Sequence, residues 1–207
     1  MLDRSGGTAT EEDGVTVALV LDFPGGTMDQ YNQVVERMHL DHRMAPGGLI
    51  HVAGSYAGGL RVIDLWDDIE HFARFRDEQI VPHTQALGLP APDVRVIEID
   101  EEKPGSGEAP ALVQCVIMPG IDRQAFDAAD HEIRPNNEMP EAITFHVNGP
   151  YNDGWCVIDG WTSKSARDEF LQTRIRPVFA NVPLSGEPTI EDLLVEATLR
   201  ESASVTT

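Results

Sequence analysis

His51-Val52-Ala53-Gly54-Ser55-Tyr56-Ala57-Gly58-Gly59-Leu60-Arg61-Val62-Ile63-Asp64-Leu65-Trp66 falls into register with His146-Val147-Asn148-Gly149-Pro150-Tyr151-Asn152-Asp153-Gly154-Trp155-Cys156-Val157-Ile158-Asp159-Gly160-Trp161 when the chain is slid by 95 positions. Nine of the sixteen positions are identical. The same offset superimposes Pro24-Gly25 on Pro119-Gly120, Met44 on Met139, Phe75 on Phe170, Ile80 on Ile175 and Pro82 on Pro177. One register held over that length marks a duplication, so each copy is one structural unit.

Within the first copy, Val15 to Phe23 is an apolar, β-branched run, hence a strand, which Pro24-Gly25-Gly26 breaks. Thr27 followed by Gln30 forms a capping-box pattern, and Tyr31, Val34, Val35 and Met38 then recur at helical spacing. Met44 to Gly48 reads as a loop. Leu49 to Tyr56 and Leu60 to Trp66 alternate as strands around Ala57-Gly58, a hairpin. Asp67 and Glu70 open a second helix that ends near Pro82, and Val94 to Ile99 is a last strand. The second copy follows with a strand at 111–118, a helix from Asp122, a hairpin at 143–161, a helix at 164–176 and a strand at 189–199.

The order β-α-β-β-α-β is the ferredoxin-like unit, whose sheet carries helices on one face only. The bare face needs a partner sheet, which the other copy can supply. The expected fold is therefore α+β, with two tandem ferredoxin-like modules packing sheet to sheet. The modules span 15–100 and 111–199, joined by a flexible, charged and then Pro/Gly/Ser-rich linker at 101–110. Residues 1–14 and 200–207 read as tails, the first of them disordered.

In its Phe23-Pro24-Gly25-Gly26 opening, its Val62-Ile63-Asp64-Leu65-Trp66 strand and the following helix with Phe72 and Phe75, the chain resembles the dimeric α/β-barrel superfamily. Within that superfamily it resembles the antibiotic-biosynthesis-monooxygenase-like proteins. The resemblance covers nearly all of both copies and implies a barrel closed within one chain, as a monomer with an internal pseudo-dimer or as a homodimer. Its functional implications are broad: cofactor-free oxygenases, polyketide cyclases, haem proteins and sensors share this fold.

The hairpin count adds geometry. With two-residue turns at Ala57-Gly58 and Asn152-Asp153, His51 stands opposite Asp64 and His146 opposite Asp159. Opposed residues have Cβ atoms about 5 Å apart, so each imidazole can reach its carboxylate. A histidine held in this way is fixed in one tautomer and becomes a better base. The same pair can equally be a structural support of the hairpin. Ile50, Val52, Ile63, Leu65, Phe145, Val147 and Ile158 are uniformly apolar and are expected under the helices. On that assignment Thr144, His146, Asn148, Asp159 and Trp161 project into a cavity shared between the sheets. Trp66 and Trp161 are candidate walls, with Tyr56 and Tyr151 as further substrate contacts or hairpin packing.

The remaining readings follow from composition and spacing. Thirty-five acids against fifteen bases give a formal charge of −20, which repels phosphate backbones and anionic membranes. No apolar run approaches the roughly 18 residues of a membrane span. The polar, acidic start reads against a secretory leader and toward the cytoplasm. Cys115 and Cys156 read as buried free thiols. His39 and His42 have a metal-like spacing that the second copy replaces with Arg134 and Asn137, so no metal is expected. His83, a conceivable haem ligand, faces Val178 in the repeat; His71 and His131 carry no assignment.

The leading expectation is a small-molecule enzyme without a bound cofactor. It is a monooxygenase or cyclase that deprotonates a polyketide-like or aromatic substrate through His51–Asp64 or His146–Asp159. The alternatives are a haem- or metal-binding barrel and a non-catalytic small-molecule binder.

Overall fold

In the computed structural model the described residues are 14–41 and 43–200. Residues 1–13, His42 and residues 201–207 lie outside them, and with them most of both expected tails and half of the His39/His42 pair.

The first half runs β1 (Val17–Pro24), α1 (Met28–Met38), β2 (Gly48–Tyr56), β3 (Gly59–Trp66), α2 (Ile69–Phe75), α3 (Val81–Ala86) and β4 (Asp93–Glu98). Next come β5 (Glu101–Pro104), β6 (Leu112–Pro119), α4 (Arg123–Ile133), β7 (Ile143–Tyr151), β8 (Gly154–Trp161), α5 (Lys164–Phe170), α6 (Arg176–Phe179), β9 (Thr189–Leu194) and β10 (Ala197–Arg200). Thr27 and Gln30 form the reciprocal capping box at the start of α1, and Asp122 caps α4 through the Ala125 N–H at 2.9 Å. The cap of α2 is Asp68, one residue beyond the expected Asp67, which instead bonds His71. Between α2 and α3, and again between α5 and α6, the helix widens to a π turn (76–80 and 171–175). The physical reason is the proline just beyond each turn: Pro82 and Pro177 have no N–H to continue the regular ladder.

The strands form two five-stranded antiparallel sheets, β10-β2-β3-β1-β4 and β5-β7-β8-β6-β9. Each half thus lends its last strand to the other. The expected flexible linker is in part strand: Glu101–Pro104 pairs with His146 and its neighbours on β7, while β10, running through Arg200, pairs with β2. Charged residues suit such an edge strand, so composition alone does not separate it from a linker. Gly54 and Gly149 sit at the two crossovers, where a Cβ would stand 2.2 Å from the Leu194 carbonyl and 2.0 Å from that of Glu98. Only glycine admits that approach.

The sheets meet over a filled core. Ala18, Val20, Ile50, Val52, Ile63, Leu65 and Ile97 interdigitate with Val113, Cys115, Phe145, Val147, Cys156, Ile158 and Leu193, all of them buried. Fully burying each larger aliphatic side chain contributes about 1.5–3 kcal/mol. This overturns the expected orientation: the uniformly apolar set lies between the sheets, in the place expected for the shared cavity. The opposite face of each sheet, carrying the histidines, packs under the helices of its own half.

Candidate functional site

Both hairpins have the expected register, His51 opposite Asp64 and His146 opposite Asp159. His51 Nδ1 lies 2.6 Å from Asp64 Oδ1, and His146 Nδ1 lies 2.7 Å from Asp159 Oδ1. What differs is the partner of the second ring nitrogen.

In the first half, Tyr31 Oη from α1 lies 2.7 Å from His51 Nε2, and the two rings stack at 5.7 Å. Burial, reinforced by the charge of Asp64, raises the Tyr31 phenol far above its ordinary value. The phenol therefore keeps its proton and donates it to Nε2, which leaves Nδ1–H to donate to Asp64.

In the second half, Phe126 replaces Tyr31 and the sheet itself supplies the cap. Trp155 Nε1–H can only donate, and it donates to Asn148 Oδ1 at 3.0 Å. The Asn148 amide nitrogen is thereby turned toward His146 Nε2 at 3.0 Å and Glu101 Oε2 at 3.1 Å. Nε2 is the acceptor, so His146 is a neutral imidazole with its proton on Nδ1. Glu101 belongs to β5, so the strand lent by the first half braces the histidine of the second.

The two couples face cavities of different size. In the first half Tyr31, His51, Asp64, Trp66 and Phe75 surround about 80 Å³, and Leu199 of β10 closes one side. In the second half the space is about 380 Å³, within the range of small-molecule sites. Its wall is mostly apolar, including Val116, Met118, Phe126, Ile133, Phe170 and Phe179, with polar groups at Gln114, Asp130, Arg134, His146, Asp159 and Arg176. Trp161 lines it too and tilts against Phe170, and its buried Nε1–H has no hydrogen-bond partner. The Trp66 Nε1–H of the first half is likewise unpartnered.

The other residues singled out in the sequence are placed elsewhere. Tyr56 and Tyr151 pack on the core between the sheets, five residues and hence one face away from the histidines, and Arg61 lies 3.4 Å over the Tyr56 ring. They line neither cavity. Thr144 is fully buried at a β-bulge between Ile143 and Phe145, which breaks the alternation that would have put it beside His146. Asn148 bonds the histidine and is not part of the cavity wall. Cys115 and Cys156 are buried free thiols, 3.6 Å apart between the sheets. No group of three or more His, Cys, Asp or Glu side chains among the described residues is arranged to hold a metal ion. No helix there is long and apolar enough to cross a membrane.

The overall arrangement has relatives among solved structures. A proposed monooxygenase from Fusobacterium nucleatum matches with a TM-score of 0.64 at 11% identity, over 90% of this chain and 95% of its own. The shared architecture is an α/β barrel of two ferredoxin-like modules packed sheet to sheet within one chain. A proposed monooxygenase from Lactobacillus acidophilus matches the barrel with a TM-score of 0.63 at 10% identity, over 90% of this chain and 97% of that one. A proposed chlorite dismutase matches at 0.60 and 11% identity, over 88% of this chain and 95% of the other. At such identities the likeness establishes the fold. No family model and no curated protein matches the barrel's sequence.

Histidine ligation of a haem iron needs an imidazole nitrogen free to bind the metal. Each cavity is lined by one imidazole, and both nitrogens of each are engaged within the protein. As hydrogen-bonded here, neither lining imidazole presents a free nitrogen to a haem iron.

Participants not singled out in the sequence as site residues include Tyr31, Glu101, Asp130, Arg134, Trp155 and Arg176. Tyr31 left a trace, because a buried phenol needs a partner and its repeat counterpart is Phe126.

Proposed function

We propose that the second half binds an aromatic or polyketide-like small molecule, and that His146, oriented by Asp159, takes an acidic proton from it. The carbanion so formed then reacts as in a cofactor-independent monooxygenase. An activated CH₂ plus O₂ gives C=O plus H₂O, the substrate being oxidised and one oxygen atom leaving as water, so no external reductant is needed. The carrying observation is the coincidence of the larger, mostly apolar cavity with a neutral imidazole whose Nδ1–H is fixed on a carboxylate. Apolar walls exclude water from the anion, and an oriented base contributes about 10²–10⁴ in rate. A substrate proton reaching Nε2 competes with the weak N–H···N bond from Asn148. Intramolecular trapping of the same carbanion by a carbonyl would make the protein a cyclase.

One observation favours a second reading, ligand binding without turnover: Nε2 of His146 already has a protein partner. Oxygen uptake with anthrone-type substrates, measured beside calorimetric binding, separates the two. His146→Ala and Asp159→Asn are expected to lower uptake about 10²-fold or more, whereas His51→Ala and Asp64→Asn leave it intact. Ligand binding with no uptake by the unaltered protein selects the binder. Uptake unchanged in all four variants removes the histidine mechanism.

A further inference from the structure

Resting on that reading of the second cavity, the next question is which ligand its wall selects. Cations are scarce in this chain, and those near its interior are claimed by carboxylates. Arg61 is held by Asp22 and Glu191, Arg95 by Glu191, Arg167 by Asp192 and Arg134 by Asp130. Arg176 is the exception in the cavity wall. It is exposed at the lip, at the start of α6, and its Nη1 donates to the neutral Gln172 amide oxygen at 3.2 Å. Among the described residues it has no carboxylate partner. The repeat places Val81 at this position in the first half, so the cation accompanies only the larger cavity.

A second, independent observation points the same way. The Trp161 Nε1–H is buried in the same wall without an acceptor, and a donor left unmet out of water is destabilising. A ligand oxygen at that place would satisfy it. The recess beyond Trp161 and Phe170 carries three carboxylates, Glu138, Glu141 and Glu169, against Arg174 and an Arg134 already held by Asp130, so its balance is acidic and favours the Arg176 lip for an anion.

We propose that the second cavity takes a ring-bearing carboxylic acid. The carboxylate lies on Arg176 at the lip, the ring lies among the apolar walls, and a ring carbonyl or hydroxyl oxygen accepts from Trp161 Nε1–H. This places the acidic ring position inside the cavity with His146 and Asp159.

Calorimetric titration with matched acid and amide pairs tests it, using naphthoate with naphthamide and an anthraquinone carboxylate with its amide. The acid of each pair is expected to bind the unaltered protein about fivefold or more tightly than the amide, as a partly exposed charge-assisted hydrogen bond allows. Added salt should narrow that gap. Arg176→Gln should erase it by weakening the acids alone, and Trp161→Phe should weaken the anthraquinone pair but not the naphthyl pair. Equal affinities for acid and amide, or an Arg176→Gln effect common to both, overturn the acid proposal while leaving the cavity as a ligand site. Failure of every probe to bind overturns the cavity reading itself.

Discussion

Replacing Asn148 by alanine tests the polar chain that sets the His146 tautomer. Asn148 is 2% exposed and joins two groups almost as deeply buried, the Trp155 indole at 4% and the His146 imidazole at 5%. The substitution leaves Trp155 Nε1–H without an acceptor and His146 Nε2 without a donor. At about 1–3 kcal/mol for each buried unmet group, the expected loss of stability is about 2–6 kcal/mol. Glu101 adds little, since its carboxylate is 41% exposed and keeps Lys103 Nζ at 3.0 Å. Trp155→Phe, which preserves an aromatic ring against Phe126, should cost about 1–2 kcal/mol by stranding Asn148 Oδ1. In the double variant neither the stranded indole N–H nor the stranded amide oxygen exists. Urea unfolding of the four proteins should therefore show the double variant about 1–2 kcal/mol more stable than the summed single effects require. Additivity to within about 0.5 kcal/mol would refute the proposed chain.

Other expectations follow from the same geometry. Tyr31→Phe strands His51 Nε2 and should cost about 1–3 kcal/mol in urea unfolding; no loss would show that the phenol contributes nothing there. Because burial and Asp64 raise the Tyr31 phenol, the native state keeps above pH 10.0, its ordinary value, a proton that the unfolded chain has shed. Stability should fall as pH rises beyond that point, and less steeply in Tyr31→Phe. Asp130 behaves oppositely: burial pushes its carboxyl up, but Arg134 and Lys103 together outweigh this and hold it below the ordinary 3.8. Its stabilisation is present above that value and lost as pH falls through its lowered native value, so Asp130→Asn should flatten the acid limb of a stability–pH curve. Residues 14–104 and 105–200, produced separately, should each lack both a fifth strand and half of the intersheet core. Each alone should bind a hydrophobic dye, and mixing should suppress that binding; two well-folded separate pieces would contradict the interdependence of the sheets.

The repeat and the hairpin register were legible because they are local. Two-residue turns determine which residues oppose, and the His–Asp pairs follow by counting. Which face those pairs occupy was not legible, because the central strands are buried on both sides. In β3, Leu60, Val62 and Trp66 lie under the helices while Ile63 and Leu65 meet the other sheet, so apolar residues mark neither face as the interior. The contact of Tyr31 with His51 joins a helix to a strand and depends on how the helix is rotated, which spacing along the chain does not specify. The exchanged strand β5 was hidden by its charge, since Glu101-Glu102-Lys103-Pro104 carries no apolar alternation, whereas β10 was merged into the single strand expected at 189–199, which the structure divides between the two sheets.

Joining the two copies in one polypeptide changes what substitution can achieve. In a barrel assembled from identical subunits, every replacement is imposed on both pockets simultaneously. Here Tyr31 and Phe126, Ala53 and Asn148, and Val81 and Arg176 hold matching positions with different chemistry. The histidine–aspartate pair survives in each copy, yet one pocket is nearly filled and the other is roomy. Covalent tethering frees one pocket to specialise while its twin serves as scaffold, and β5 carries that service across, since the glutamate bracing the roomier pocket is encoded just past the end of its sister unit.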